Sequence, residues 1–341
     1  MLDWITAEIP LLHKPMQNGL IASINQDGTI EWESPRRLEV SGSHSSKFQV
    51  KSIGGDGEGN ATHLYIHGNP TKYLQGHNVF GLDDLVGIVR DAVCQILVDL
   101  DLQMSSSELQ ALITGDYDVK RIDVNYLYEL PSNSDVNTWI RAAEFTSKTR
   151  HGRPTKKGGT VYWGQNSRRW SVKAYNKYEE LQKHQIPESL DKAMLEGHAL
   201  GKLRLEVVLR RKELETLNLP KASQIQEYGL RALYETYIQR IEMTQQIRLS
   251  DKKFRELPQR LKSTYVLWQH GEDVKETLSN ATFYRHRKEL LGYGIDVSVM
   301  RPKKSAANIV PLIRILEAKE CPIPEWAYEK GLVHKPSRIA S

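Results

Sequence analysis

Residues 160–180, TVYWGQNSRRWSVKAYNKYEE, constrain the fold more than any other stretch of this chain. They read as a strand, a tight polar turn, a second strand and the first turn of a helix. Tyr175 stands where the second strand gives way to the helix. Arg168, Arg169, Lys173 and Lys177 crowd it. A phenol held among cations beside a strand edge suits attack on a phosphodiester, which makes Tyr175 a candidate nucleophile.

The elements around this hairpin specify its setting. Residues 1–70 are β-rich. Leu20–Ile24 and residues 29–33 flank Gln26-Asp27-Gly28, a hairpin turn signal. Lys47–Ile53 and residues 62–67 alternate apolar and polar residues, as half-buried strands do. Asp83 is a candidate N-cap for a helix whose apolar stripe is Leu85, Val89, Val93, Ile96 and Leu97. Residues 119–130 read as a strand with Asp123 inside it, and residues 134–147 as a helix. A basic loop, residues 148–159, precedes the hairpin, residues 178–183 are helical, and residues 201–210 form a strand around Glu206. That order predicts an α+β fold, an antiparallel sheet with helices on one face. From about Lys212 the pattern turns helical. A short helix over 273–278, a turn at Ser279-Asn280 and a basic helix over 281–291 give a helix-turn-helix signature. The expected division is a catalytic unit over 1–250 and a mainly helical, DNA-binding region over 251–341.

Composition narrows the functional classes. The 341 residues suffice for two domains, and 39% hydrophobic content supports a proper core. No apolar run reaches membrane-spanning length, and the acidic N-terminus lacks the basic start of a signal peptide. The two cysteines, Cys94 and Cys321, lie far apart, which fits a reducing cytoplasm and excludes a cysteine zinc site. The net charge of +5 permits a nucleic-acid partner without requiring one. The excess lies mainly over 147–183 and in the knot Arg285-His286-Arg287-Lys288.

Several residues have both a chemical and a structural reading. Asp123 and Glu206 are acids amid apolar strand neighbours, where unpaired carboxylates are rare. They are either surface ion pairs or a carboxylate pair for a divalent cation with oxygen ligands. His77, flanked by Gly76 and Gly81, is a structural hydrogen-bonder or a metal or phosphate contact. His63 and His67 share one strand face as a weaker pair. Tyr178, three residues after Tyr175, is a candidate second phenol on the same helix side. Because a phenol ordinarily titrates near pH 10, attack needs help from Lys177 or a metal. Arg168, Arg169, Lys173 and Trp170, with Tyr162 and Trp163, suit stacking of bases and holding of phosphates, or else pack on a helix. Thr282, Arg285, His286 and Arg287 are candidate base and phosphate contacts, or the solvated face of an ordinary helical hairpin.

A set of ordered blocks resembles the filamentous-phage gene II replication initiators and their shorter gene X products. These blocks are Leu74-Gln75-Gly76-His77-Asn78-Val79-Phe80-Gly81, Arg121-Ile122-Asp123, Ala174-Tyr175, Leu203-Arg204-Leu205-Glu206 and Asn308-Ile309-Val310-Pro311-Leu312. The resemblance implies a rolling-circle initiator that nicks the plus strand at a phage origin. The tyrosine matching Tyr175 would take the 5′-phosphate, and the displaced strand would later be rejoined. It implies Mg²⁺ as cofactor, with Mn²⁺ able to substitute, and Asp123, Glu206 and His77 are the expected ligands. Implied partners are supercoiled double-stranded and single-stranded origin DNA, a host helicase and polymerase, and a second copy on the origin. The implied location is the cytoplasm of the bacterial host. The related plasmid initiators share the fold of the His-hydrophobic-His endonucleases, whose paired histidines this chain lacks. Two other classes remain: a non-catalytic DNA-binding replication regulator, and a relaxase-like strand transferase.

Overall fold

The computed structural model describes residues 1–243 except 17, 18, 43, 45 and 151, together with 254, 256–293, 295–298 and 321–337. The block at Asn308 lies outside the described residues. The strands are β1 (Leu2–His13), β2 (Leu20–Ile24), β3 (Ile30–Pro35), β4 (Leu38–Ser41), β5 (Lys47–Ile53), β6 (Ala61–Gly68), β7 (Asp118–Glu129), β8 (Ser147–Lys148), β9 (Thr155–Lys157), β10 (Thr160–Trp163), β11 (Trp170–Asn176), β12 (Lys202–Arg210) and β13 (Glu242–Met243). Between and after them run helices α1 (Pro70–Gln75), α2 (Leu85–Asp99), α3 (Ser106–Thr114), α4 (Asn133–Thr146), α5 (Lys177–Leu181), α6 (Lys192–Ala199), α7 (Arg211–Thr216), α8 (Ala222–Tyr228) and α9 (Leu230–Ile238).

Among the described residues the main sheet has nine strands in the order β4-β5-β6-β1-β7-β12-β11-β10-β9. Every neighbouring pair is antiparallel. Alternation gives each strand two unlike faces. Ile122 and Val124 of β7, Leu203, Leu205, Val207 and Leu209 of β12, and Val172 and Ala174 of β11 face the core. Residues of α2, α4, α8 and α9 complete that core, so the expected α+β fold, an antiparallel sheet with packed helices, is present. The opposite face carries Arg121, Asp123 and Asn125 of β7, Arg204 and Glu206 of β12, and Lys173 and Tyr175 of β11, as the strand register requires.

Two features differ from expectation. β1, a twelve-residue strand in the interior of the sheet, is not distinguished by the sequence pattern within the β-rich residues 1–70. The basic loop 148–159 contains β9, a short exposed edge strand; lysines at such an edge discourage pairing with other chains. Residues 321–337 return to the sheet unit: Cys321 N–H donates to Leu127 O at 2.8 Å, and His334 meets Asp91 at 2.8 Å.

The helices Gln259–Gln269, Val274–Thr277 and Asn280–Gly292 enclose a small core of their own around Leu261, Trp268 and Phe283. Arg141 of α4 holds Asp273 through two hydrogen bonds of 2.6 and 2.9 Å, tying this unit to the sheet unit. Among the described residues no helix is long and apolar enough to cross a membrane.

Gly201 opens β12 at φ +68, and a methyl group there would stand 2.7 Å from Leu130 O. Replacing it by alanine combines left-handed backbone strain with a clash against a carbonyl, and should destabilise the protein by about 2 kcal/mol. Gly197, within α6 and facing open space, is the control: Gly197→Ala should leave stability unchanged or raise it by about 1 kcal/mol. Thermal melts of the two variants check both signs.

Candidate active site on the polar sheet face

The site is built by one loop closing on the polar face of β11 and β12. α1 begins with Asn69 as N-cap, whose side chain accepts from Lys72 N–H at 2.7 Å, and has Pro70 in its first turn. It ends at Gly76 in the left-handed conformation, φ +82, which turns the chain sharply into His77-Asn78-Val79-Phe80. Gln75 Nε2 pins that turn by donating to Phe80 O at 2.7 Å. Arg204, with no exposure to solvent, reaches up from β12 and donates to Asn78 O at 2.6 Å and Val79 O at 2.5 Å. Asn78 in turn donates to Asp3 at 2.9 Å and accepts from Lys177 Nζ at 2.8 Å. The Leu-Gln-Gly-His-Asn-Val-Phe-Gly block is therefore a clip that fixes Asp3, Lys177 and Arg204 around the start of α5.

Beneath the clip lies Tyr175. Its hydroxyl is 3.2 Å from Glu206 Oε2, to which it donates. Lys173 Nζ is 2.6 Å from Glu206 Oε1 and 5.8 Å from the centre of the Tyr175 ring. Asp123, one register step away, is held by Arg121 at 2.7 and 2.6 Å. Asp3 sits in an irregularity of β1 between Leu2 and Trp4, close enough to feel Arg204, Lys173 and Glu206. The phenol belongs to none of the apolar clusters, although only 8% of Tyr175 is exposed.

These surroundings shift the titrations in a useful pattern. Burial lifts the Glu206 carboxyl well above the usual carboxylate range, because Lys173 does not offset the loss of water and the charges of Asp3 and Asp123. Burial and then the neighbouring Glu206 push the Tyr175 phenol far up, so the folded protein holds it neutral. Burial draws the ammonium of Lys173 down, but Glu206, Asp123 and Asp3 outweigh it, and the lysine stays charged. Lys177, fully buried and beside Arg204, is drawn down to about 8. Asp3 is raised by burial, yet Arg204 and Lys173 leave it below its ordinary value. A phenol facing a carboxylate of raised pKa is an arrangement for proton transfer at near-neutral pH.

The structure brings Tyr175, Glu206, Asp123 and Lys173 to one patch of the polar face, whereas Lys177 is engaged by Asn78 and Glu180 at the start of α5. His77 is buried with both ring nitrogens engaged: Nδ1 accepts from Val79 N–H at 3.2 Å, and Nε2 donates to Leu332 O at 2.9 Å. Burial lowers its pKa to about 4. It is a structural histidine that ties the C-terminal segment to the clip, not a neighbour of the carboxylate pair. Tyr178 lies on α5 while Tyr175 lies on β11, so helical spacing does not relate them. Tyr178 packs instead with Leu181, Leu195 and Phe80.

Trp170 is fully buried against Tyr237, because alternation along β11 points it with Val172 and Ala174 into the core. Arg169 is committed to Glu213 at 2.5 Å and Thr216 at 2.7 Å, which leaves Arg168 as the exposed cation of that turn. In the C-terminal unit His286 is buried against Thr264 at 2.8 Å, and Arg287 is paired with Asp296 at 2.9 and 3.0 Å. Arg285 is exposed, beside Tyr284 and Lys288. Sequence reasoning does not single out Asp3 and Asn78. An acid third in the chain between apolar residues is the available signal for the first, and its position inside the specific block is the signal for the second.

Among the described residues no three His, Cys, Asp or Glu side chains gather as a metal cage. The oxygen chemistry nevertheless suits a hard cation. Asn125, beside Glu206 in register and with no exposure, leaves both ends of its amide without a hydrogen-bond partner.

Two family descriptions match the chain: the N-terminal region of the gene II replication-associated protein over residues 1–228, and its C-terminal region over residues 249–333. The replication-associated protein of Enterobacteria phage I2-2 is 43% identical over the full length of both chains. The chain belongs to the gene II family of phage replication-associated proteins. The family's member from Salmonella phage IKe is 23% identical, covering 92% of this chain and 88% of its own. That of Enterobacteria phage fd is 31% identical over 42% of this chain and 34% of its own. No solved structure matches. As a gene II relative the chain is a phage DNA-replication protein, and its site must be understood in that setting.

Replacing His77 by alanine tests its structural role. It removes the donor to Leu332 O and should cost about 1–3 kcal/mol of stability. A thermal melt of the variant measures this loss.

Proposed function

We propose that this protein initiates rolling-circle replication by nicking one DNA strand with Tyr175. The observation that carries this reading is the Tyr175 hydroxyl resting on Glu206, a buried carboxylate of raised pKa. The phenol oxygen attacks the scissile phosphorus and its proton passes to Glu206 Oε2. The bond from phosphorus to the 3′ oxygen breaks and that oxygen takes a proton from water, leaving a 5′-phosphotyrosine ester and a free 3′-OH that primes a host polymerase. The ester conserves the bond energy, so a later attack by a 3′-OH rejoins the displaced strand without a nucleotide cofactor. Lys173 stays charged against Glu206 Oε1 and offsets negative charge as it develops. Lys177 and Arg204 keep the clip and the start of α5 in place.

Mg²⁺ would be held by oxygens of Asp123, Glu206 and Asn125, where Arg121 and Lys173 now supply the positive charge. When bound it would polarise the phosphoryl oxygens. The C-terminal helices would supply duplex contacts through Tyr284, Arg285 and Lys288, the exposed side of Asn280–Gly292. The setting is the cytoplasm of the bacterial host.

The pH dependence has a definite sign. Glu206 must be unprotonated to accept the proton, and burial raises its pKa, so cleavage at low Mg²⁺ should fall as pH drops through neutral, and saturating Mg²⁺, which would hold the carboxylate ionised, should move that fall to lower pH. An ordinary glutamate would lose activity only at much lower pH. Single-turnover nicking of supercoiled phage DNA should therefore rise with pH and then level off. Glu206→Gln should lower the plateau about 10²- to 10⁴-fold and flatten the profile. Tyr175→Phe should abolish the SDS-resistant protein–DNA band. A wild-type protein that binds the DNA and never forms that band would support a replication regulator instead.

Ligation by Glu206 has its own readout. Mg²⁺ binding should release protons at pH 7, because a coordinated carboxylate must be ionised. Calorimetry in two buffers of different ionisation heat measures this, and Glu206→Gln should remove the proton release.

A further inference from the structure

The polar sheet face continues beyond the carboxylates onto strands for which no role has been given. Tyr65 and His67 of β6 point to this face, with stacked rings whose planes differ by 19° and whose centres lie 6.3 Å apart. Trp4 of β1 meets His67 edge-on at 5.0 Å. Arg37 and Lys51 each stand 5.3 Å from the centre of the Tyr65 ring. All five side chains are exposed or partly exposed. The register joins this patch to the site: Lys51 pairs with Tyr65, His67 with Thr6, Thr6 with Arg121, and Trp4 with Asp123.

The charge of this patch is not cancelled. Arg37 meets Gln49 and the Tyr65 hydroxyl, and Lys51 meets Ser34, all neutral groups. The acids on the same face are already taken, Glu8 by Lys120 at 2.7 Å and Glu39 by Lys47 at 2.7 Å. Burial, with Arg37 and Arg121 nearby, lowers the pKa of His67 to about 4, so its ring is neutral. Its Nδ1 accepts from Thr6 Oγ1 at 2.7 Å and from Trp4 Nε1 at 3.4 Å. Flat neutral rings interleaved with uncancelled cations match unstacked bases joined by phosphates, and a duplex offers no such base faces.

We propose that this face of β5, β6 and β1 is the track on which single-stranded DNA lies as it enters the Tyr175 site. The track rests on the nicking reading for its direction, and it ends at the carboxylates. Bases stack on Tyr65 and His67, and Arg37 and Lys51 hold phosphates. From β6 to β11 is four strand spacings, about 19 Å, so the track holds nucleotides several positions from the scissile bond.

The test uses the full-length protein, a fluorescein-labelled single-stranded thymidine oligomer and a matched duplex, with a parallel nicking assay on supercoiled phage DNA. Tyr65→Ala should weaken binding of the single strand about tenfold, and of the duplex no more than about twofold. Arg37→Gln should make the slope of log affinity against log salt shallower by about 0.7. Arg37 is exposed, so its replacement decides the matter if Tyr65→Ala melts at lower temperature. Single-strand affinity within about twofold of wild type, with an unchanged salt slope, would overturn the track. Equal losses on single strand and duplex would also overturn it. If the losses appear as expected but wild type forms no covalent band, the track stands and the nicking reading fails. If the losses are absent while Tyr175→Phe alone abolishes the band, the reverse holds.

Discussion

Glu206 is a carboxylate with no contact with water, in the middle of a strand at the centre of a nine-stranded sheet. Such a group is tolerated only when its neighbours replace water. Lys173 lies opposite it in register and gives it a charge partner, and Tyr175, two residues on, gives it a proton donor. Strand alternation places these two on one face, and the same alternation sends Val172 and Ala174 into the core. A single run of seven residues thus anchors the sheet and assembles the chemistry.

The clip explains how this arrangement is held. Arg204 shares the Glu206 face of β12 and crosses to the carbonyls of Asn78 and Val79, which a fully buried guanidinium requires. Asn78 links Asp3 of the first strand to Lys177 of α5. His77 extends the link to Leu332, near the end of the described chain. Parts that are remote in sequence thereby meet over one phenol. A change in any of them is expected to act on the position of Tyr175 before it acts on chemistry.

Much of this is legible in the chain. The strands around Asp123 and Glu206, the hairpin 160–176 and the two helices after Asp273 announce themselves by period and turn residues. Glu206 stands out in the sequence as an acid in a strand that should not hold it unpaired, and Lys173 and Tyr175 as the cation and phenol of the neighbouring hairpin. Direction is harder to read. Trp170 and Lys173 are an odd number of residues apart, so they cannot share a face, and only the lysine reaches the site. His286 is three residues from Phe283 and four from Leu290, which puts it on the buried side of its helix, whereas Arg285 faces outward. Arg169 and Arg287 resemble DNA contacts in the sequence because their ion pairs, with Glu213 and Asp296, join segments that local pattern cannot relate. β1 escapes recognition because register irregularities between Leu2 and Trp4 and between Thr6 and Ala7 interrupt the alternation that marks a strand, and Asp3, which lies in the first of them, is lost with it.

The central claim is that the phenol on Glu206, and no other, takes the DNA phosphate. The most direct measurement is to digest the protein–DNA adduct with protease and nuclease and to locate the nucleotide-bearing residue by mass spectrometry. The account predicts a single phosphotyrosine ester, on Tyr175. A nucleotide on Tyr178, or on any residue outside the polar face of β11 and β12, would contradict it.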